Sequence, residues 1–223
     1  MSHPFSSSPP FASSTSPMGQ DPYFFLSYAR VPSTEEERRG EHPDQDLVDF
    51  HRELCRHVMQ LTDHDGTQPP GFLDRRMGIG ADWEKNLKQA LATCQVFVPV
   101  YTKRYFSREW CGKEWDAFAR RQAEQHRARP YTVNAIVPVL WLSPAHLDLP
   151  PVAEAVQYTH PDLGPPYLKM GLYGLREAGY SLQYRRAVWG IAQTIVKVAQ
   201  QARLEPCDIG LFDDLRNVFE EGP

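Results

Sequence analysis

The sequence predicts an α/β protein built on a parallel sheet, and three observations carry that prediction. Short apolar or aromatic runs alternate along the chain with longer stretches whose apolar residues recur every three to four positions. Connections rich in Pro, Gly, Asp and Ser separate them. Alternation on this scale means βαβ units, with helices on both faces of the sheet and right-handed crossovers.

The first strand is Tyr23-Phe-Phe-Leu-Ser-Tyr28, whose end puts Ser27, Tyr28 and Arg30 at the carboxyl edge of the sheet. Residues 31–45 form a long polar connection, and Leu47, Phe50, Leu54, Val58 and Leu61 then mark a helix over 46–61. The run Asp63-His64-Asp65-Gly66 contains metal-ligand types, but without a spaced ligand set it reads as a turn. Gly71-Phe-Leu-Asp74 is a short strand, followed by the loop 75–80 and a helix over 82–92 that carries Trp83 in its first turn. The two glycines of that loop have neither a dinucleotide-binding nor a phosphate-loop spacing.

A third strand is expected at 95–101, a helix at 108–127 with Ser107 at its N-cap, and a fourth strand at 133–141. Pro138 marks that strand as an end, a bulge or an edge. A weak fifth strand is placed at 153–158, a proline-punctuated loop at 160–174, and a last helix at 181–202. One domain therefore spans 21–203, between a Pro/Ser-rich leader at 1–20 expected to be disordered and an acidic tail at 204–223. The tail is expected either to dock weakly or to remain loose.

Size and charge narrow the function. At 223 residues there is room for one well-buried core plus tails. A formal charge of -4 without a Lys/Arg stripe argues against a nucleic-acid partner. The sequence has neither a membrane-length apolar run nor a secretory leader pattern. The four cysteines are scattered, without a C-x-x-C pair, as expected of a reduced cytoplasmic protein.

The stretch with most chemical promise is Tyr105-Phe-Ser-Arg-Glu-Trp-Cys-Gly-Lys-Glu-Trp115. It opens a helix whose stripe is Trp110, Cys111, Trp115 and Phe118, and it carries Glu114 in that aromatic setting. Helices of a parallel α/β fold begin at the sheet's ligand-binding edge, so an acid in the second turn is a candidate for chemistry. A solvated surface glutamate is the plainer alternative. Cys111 has no histidine close by in sequence and reads as a buried helix cysteine.

The pieces Phe24-Phe-Leu-Ser-Tyr28, Phe72-Leu-Asp74, Gly80-x-x-Trp83, Val96–Tyr101 and Ser107-x-x-Trp110-Cys111-x-x-Glu114 resemble, in this order, the signatures of the TIR (Toll/interleukin-1 receptor) domain. The leader, the 31–45 insertion and the end of the 167–176 loop look like bacterial TIR-like proteins, in particular those of FxsA-type peptide maturation clusters. The resemblance implies a flavodoxin-like three-layer fold with five parallel strands in the order 2-1-3-4-5. It also implies cleavage of the nicotinamide–ribose bond of NAD⁺, with Glu114 as the essential carboxylate, NAD⁺ as substrate and no permanently bound cofactor. By the same resemblance Tyr28, Arg30, Asp74 and Trp83 belong to the substrate pocket. Arg75 and Arg76 depart from the family pattern and add positive charge that suits a pyrophosphate. The resemblance equally admits a non-catalytic scaffold or nucleotide-signal-binding module that works through self-association of TIR surfaces.

The chemistry is consistent on its own terms. Nicotinamide leaves as a neutral group from a cationic one, and the ribose left behind is oxocarbenium-like. A carboxylate beside the ribose hydroxyls stabilises that charge, with water as the final acceptor.

Overall fold

A computed structural model describes residues 21–32, 43–73, 81–130, 133–158 and 160–220, apart from the side chains of 81–83 and 161. Four strands form one sheet among the described residues: β1 (Phe24–Ser27), β2 (Gly71–Leu73), β3 (Val96–Tyr101) and β4 (Val139–Leu140). Their order is β2-β1-β3-β4 and every pairing is parallel. The chain steps outward one way from β1 to β2 and the other way from β3 to β4. The switch of direction therefore lies between β1 and β3, where open α/β sheets leave a crevice at their carboxyl ends.

The longer helices are α1 (Gln45–Leu61), α2 (Ala81–Thr93), α4 (Glu109–Ala128), α6 (Pro165–Glu177) and α7 (Ser181–Ala202), with the single turns α3 (Lys103–Phe106) and α5 (Pro151–Glu154) between them. Strand alternation assigns the two faces. Phe24 meets His51 of α1 with ring centres 5.7 Å apart. Its neighbour Phe25 stacks on Phe72 and Phe97, and Phe97 stacks at 5.3 Å on Phe118 of α4. Helices α1 and α7 pack together, as do α2 and α4, which gives three layers.

The expected fifth strand is absent: residues 153–158 begin inside α5 and continue as turn and coil. Pro151 occupies the first turn of α5, where its missing N–H and fixed φ favour a helix start over a strand. The outer edge of β4 is closed by other means. Leu140 N donates to the Tyr167 hydroxyl at 2.9 Å, Tyr173 N donates to Trp141 O at 3.0 Å, and His160 Nε2 donates to Pro138 O at 3.2 Å. Covering an edge in this way leaves no ladder for a further strand.

Three more expectations need correcting. The fourth strand, predicted over 133–141, is reduced to Val139–Leu140 and a single bridge between Phe97 and Ile136. Pro99 in β3 can donate nothing to the ladder at this level. The stretch read as a loop over 160–174 holds most of α6, which starts behind Pro165 and kinks at Gly171 with φ 68°. A side chain at Gly171 would collide with backbone atoms of Trp141 and Leu142, so the close approach that joins α6 to β4 requires glycine. Finally, Ser107 does not cap α4. It closes α3, donating from its hydroxyl to Arg104 O at 3.0 Å, because Thr102 has already started a helical turn by accepting from Tyr105 N. Arg108 stands at the N-cap of α4.

The segment beyond Arg203 is packed against α4. Phe212 is buried, Arg120 donates to the carbonyls of Asp213 and Asp214, and Arg216 N donates to Asp116 Oδ2 at 2.9 Å. Gly112 gives room for this contact, since a Cβ there would strike Asn217. Among the described residues no helix is long and apolar enough to cross a membrane.

Candidate functional site

Glu114 lies in the second turn of α4, pointed inward, with 2% of its surface exposed. It is not the solvated face residue that helical glutamates usually are. The last residue of β1, Ser27, donates its hydroxyl to Glu114 Oε2. On the other side Ser27 Oγ lies 3.0 Å from the Tyr105 hydroxyl. Because Ser27 spends its proton on the carboxylate, Tyr105 is the donor in that second bond. Burial, with Cys111 and Glu114 close by, pushes the Tyr105 phenol well above its ordinary pKa, so it keeps its proton. A chain of hydroxyls thus runs from Tyr105 through Ser27 to Glu114.

The mount is rigid. Ser27 sits in register with Pro99 of the central strand β3. Tyr105 is fully buried, with ring contacts to Tyr101 at 6.4 Å, Phe106 at 5.3 Å and Phe219 at 5.5 Å. These three hydroxyl and carboxylate groups meet where β1 and β3 end, at the topological switch point.

Beside them a cleft of about 810 Å³ opens at the same edge of the sheet. Ala29 and Val31 line it from the end of β1, Phe106 and Ser107 from the segment after β3, and Trp141 and Leu142 from the end of β4. Lys103 and Arg104 bring positive charge, and Asp44, Asp46 and Asp148 bring negative charge. Across its mouth Lys103 Nζ lies 3.7 Å from Asp148 Oδ2, an exposed pair that holds little energy. Glu114 is not part of the lining.

The structure places the other expected site residues unevenly. Tyr28 is buried and Arg30 half-buried, and neither is among the described residues lining the cleft. Asp74, Arg75 and Arg76 and the side chain of Trp83 lie outside the described residues. Sequence reasoning gave no role to Tyr105, although it stands in the stretch singled out there. The available signal was a second hydroxyl near the motif, opposite the serine at the strand end.

Other chemistry is less promising. Cys55 Sγ lies 3.5 Å from His51 Nε2, which suggests a thiol with its base. Yet that nitrogen donates to Gly71 O at 3.0 Å, and burial pushes the Cys55 thiol up to about 11. A protonated thiol beside an occupied imidazole is a packing pair. Asp65 accepts from the backbone N–H and hydroxyl of Thr67, which closes a turn. Among the described residues no group of His, Cys, Asp and Glu gathers as a metal would need.

Fold and site together define a parallel α/β protein with a buried carboxylate at its switch point. A TIR-domain family model matches residues 46–162, just over half of the chain, and the protein belongs to the TIR-domain family. The match begins after β1 and ends before α6, so Ser27 lies outside it while Tyr105 and Glu114 lie inside. No curated protein matches the chain. Among solved structures it is similar to the TIR domains of the activated Roq1 resistosome directly recognizing the pathogen effector XopQ. That likeness has 19% identity and a TM-score of 0.32, and it covers 80% of this chain and 95% of the other.

Proposed function

We propose that this protein cleaves the nicotinamide–ribose bond of NAD⁺, with Glu114 as the essential carboxylate. The observation that carries the reading is the position of Glu114, held by Ser27 where β1 and β3 end. A carboxylate there stabilises the positive charge that develops on the ribose as nicotinamide departs. It accepts up to about four hydrogen bonds, so the bond from Ser27 is compatible with bonds from ribose hydroxyls. The neighbouring cleft, which Glu114, Tyr28 and Arg30 do not line, has the size of a nucleotide site and both apolar and cationic walls. In this reading Arg30 and Arg75 take the pyrophosphate, Tyr28 and Trp83 flank a ring, and Asp74 contributes a further acid. Water or an internal nucleophile of the substrate captures the ribose, giving a hydrolysed or a cyclic product. The proposed setting is a bacterial, cytoplasmic protein whose pocket is completed by self-association of TIR surfaces.

One observation favours a second reading. With 2% exposure, Glu114 also fits a purely structural acid in a module that acts through association or by binding a nucleotide signal without turnover. The two readings separate in one assay. Nicotinamide release is followed by chromatography over a range of protein concentrations, with the oligomeric state recorded. Turnover in the native protein that disappears in Glu114→Gln supports the enzyme. Turnover that persists unchanged in the variant removes Glu114 from the chemistry, and absence of turnover in an assembled native protein favours the module.

A further inference from the structure

We infer that Ser27 and Tyr105 are positioning residues whose hydroxyl chain fixes the orientation and the hydrogen-bond-accepting form of Glu114. This rests on the proposed role of Glu114, but the chain itself can be tested without turnover. Tyr105 donates to Ser27 across 3.0 Å, and Ser27 donates to Glu114 Oε2. The three residues come from α3, β1 and α4, so the chain ties together the elements that meet at the switch point.

Each member has little freedom. Ser27 and Tyr105 are fully buried, and the strand pairing of Ser27 with Pro99 fixes the middle of the chain. The Tyr105 ring is held between Tyr101, Phe106 and Phe219, so its hydroxyl cannot swing away without moving three aromatic neighbours. Phe219 also meets Trp115 at 5.9 Å, and Asn217 sits on Gly112. The C-terminal segment thereby packs on Tyr105 and on α4 at the residues around Glu114.

Donation from Ser27 favours the carboxylate over the carboxylic acid, because a hydrogen bond to a charged acceptor is the stronger one. Among the described residues, the titratable groups that act on Tyr105 are Cys111, Glu114 and Tyr101. Cys111 comes from α4 itself, Tyr105 from α3 and Tyr101 from β3. Lys113 is turned aside, 2.6 Å from Glu109, and lies over the Trp110 ring. The hydroxyl chain is a polar support that reaches Glu114 from outside its own helix.

The experiment uses the full-length protein with ¹³C-labelled glutamate carboxyls, the Glu114 signal being assigned by its loss in Glu114→Gln. Native protein, Ser27→Ala, Ser27→Thr and Tyr105→Phe are titrated, and nicotinamide release is measured on the same samples. In Ser27→Ala the Glu114 midpoint is expected to rise by about one pH unit or more. In Tyr105→Phe, which keeps the ring packing, the rise is smaller and in the same direction, and Ser27→Thr restores the native midpoint. Where turnover exists, Ser27→Ala lowers kcat about 10- to 100-fold with KM little changed, as loss of aim at the reacting centre demands. Native midpoints in both Ser27→Ala and Tyr105→Phe would overturn the inference. Shifted midpoints in a protein that releases no nicotinamide would uphold the hydroxyl chain and overturn the enzymatic reading alone.

Discussion

Besides Asp116, helix α4 buries two side chains that contrast sharply, Glu114 near its start and Arg121 further along, with 2% and 1% of their surfaces exposed. Their partners differ in kind. Arg121 Nη1 donates to the carbonyls of Leu91 and Cys94 at 2.9 and 2.7 Å, while Nε and Nη2 donate to Glu205 O at 3.1 and 3.0 Å. These acceptors belong to the end of α2 and to the C-terminal segment, so one guanidinium joins three parts of the chain. Its planar fork and fixed backbone acceptors make a joint. Glu114 is held instead by a hydroxyl that turns about one bond, at the edge of the sheet where ligands bind. A buried guanidinium surrounded by backbone carbonyls can do little but hold, whereas a carboxylate accepts up to about four hydrogen bonds and can take a ligand's hydroxyls beside a fixed one.

The sharpest way to break this contrast is to remove the joint. Arg121→Leu removes this donor from the carbonyls of Cys94 and Glu205 and one of the donors from those of Leu91 and Leu204, which also accept from the Cys94 thiol and Gln95 Nε2, and we expect a loss of about 3–5 kcal/mol. Urea unfolding measures it, and limited proteolysis should locate new cleavage beyond Arg203. Arg121→Lys should recover only part, because a single ammonium cannot replace the fork. A variant as stable as the native protein would show that the carbonyls find water and that Arg121 is no joint.

The same C-terminal segment links the two ions, since Glu205 receives Arg121 while Phe219 packs on Tyr105. Phe219→Ala removes a half-buried ring and should cost about 1–3 kcal/mol in urea unfolding. Its smaller companion is Glu114→Gln, for which we expect a change below about 1 kcal/mol, because the amide oxygen still accepts from Ser27. A large loss of stability in Glu114→Gln would make the two ions alike and would move Glu114 to the structural side.

These particulars also show what the sequence could and could not tell. The strand–helix alternation was legible because each element declares itself within a few residues, as in Val96–Tyr101 or the stripe of α1. The end of the sheet was not. Residues 153–158 have strand-forming types, but Pro151 and the closure of β4 by Tyr167 and His160 decide the outcome. Helix α6 was hidden by Pro165 and Pro166 at its start and by Gly171 within it, all residues that read locally as loop. Glu114 stood out through its aromatic setting, whereas its partner Ser27 lies 87 positions away and is joined to it only by folding. Arg121 gave no local signal, for its acceptors at Leu91 and Glu205 are 30 and 84 positions distant.

His160 offers the finest test of the difference between carbonyl and hydroxyl partners. Like Arg121 it donates to a backbone carbonyl, Pro138 O, but unlike Arg121 it can lose its charge. Burial lowers its pKa, against the opposing pull of Pro138 O and Asp162. The unfolded chain, with the ordinary histidine value of about 6.5, therefore takes up the proton first as pH falls. The contribution of neutral His160 is full above that value and is lost as pH falls from there through the lower folded value. His57 is shifted in the same direction by burial and by Arg56, so the native pH dependence alone cannot isolate His160. Comparing native protein with His160→Gln does, because Gln keeps a donor for Pro138 but takes up no proton. Between pH 7.5 and 5.5 the native protein should lose more stability in urea unfolding than the variant. Equal losses would mean that His160 is free to charge within the fold, its burial being offset by Pro138 O and Asp162.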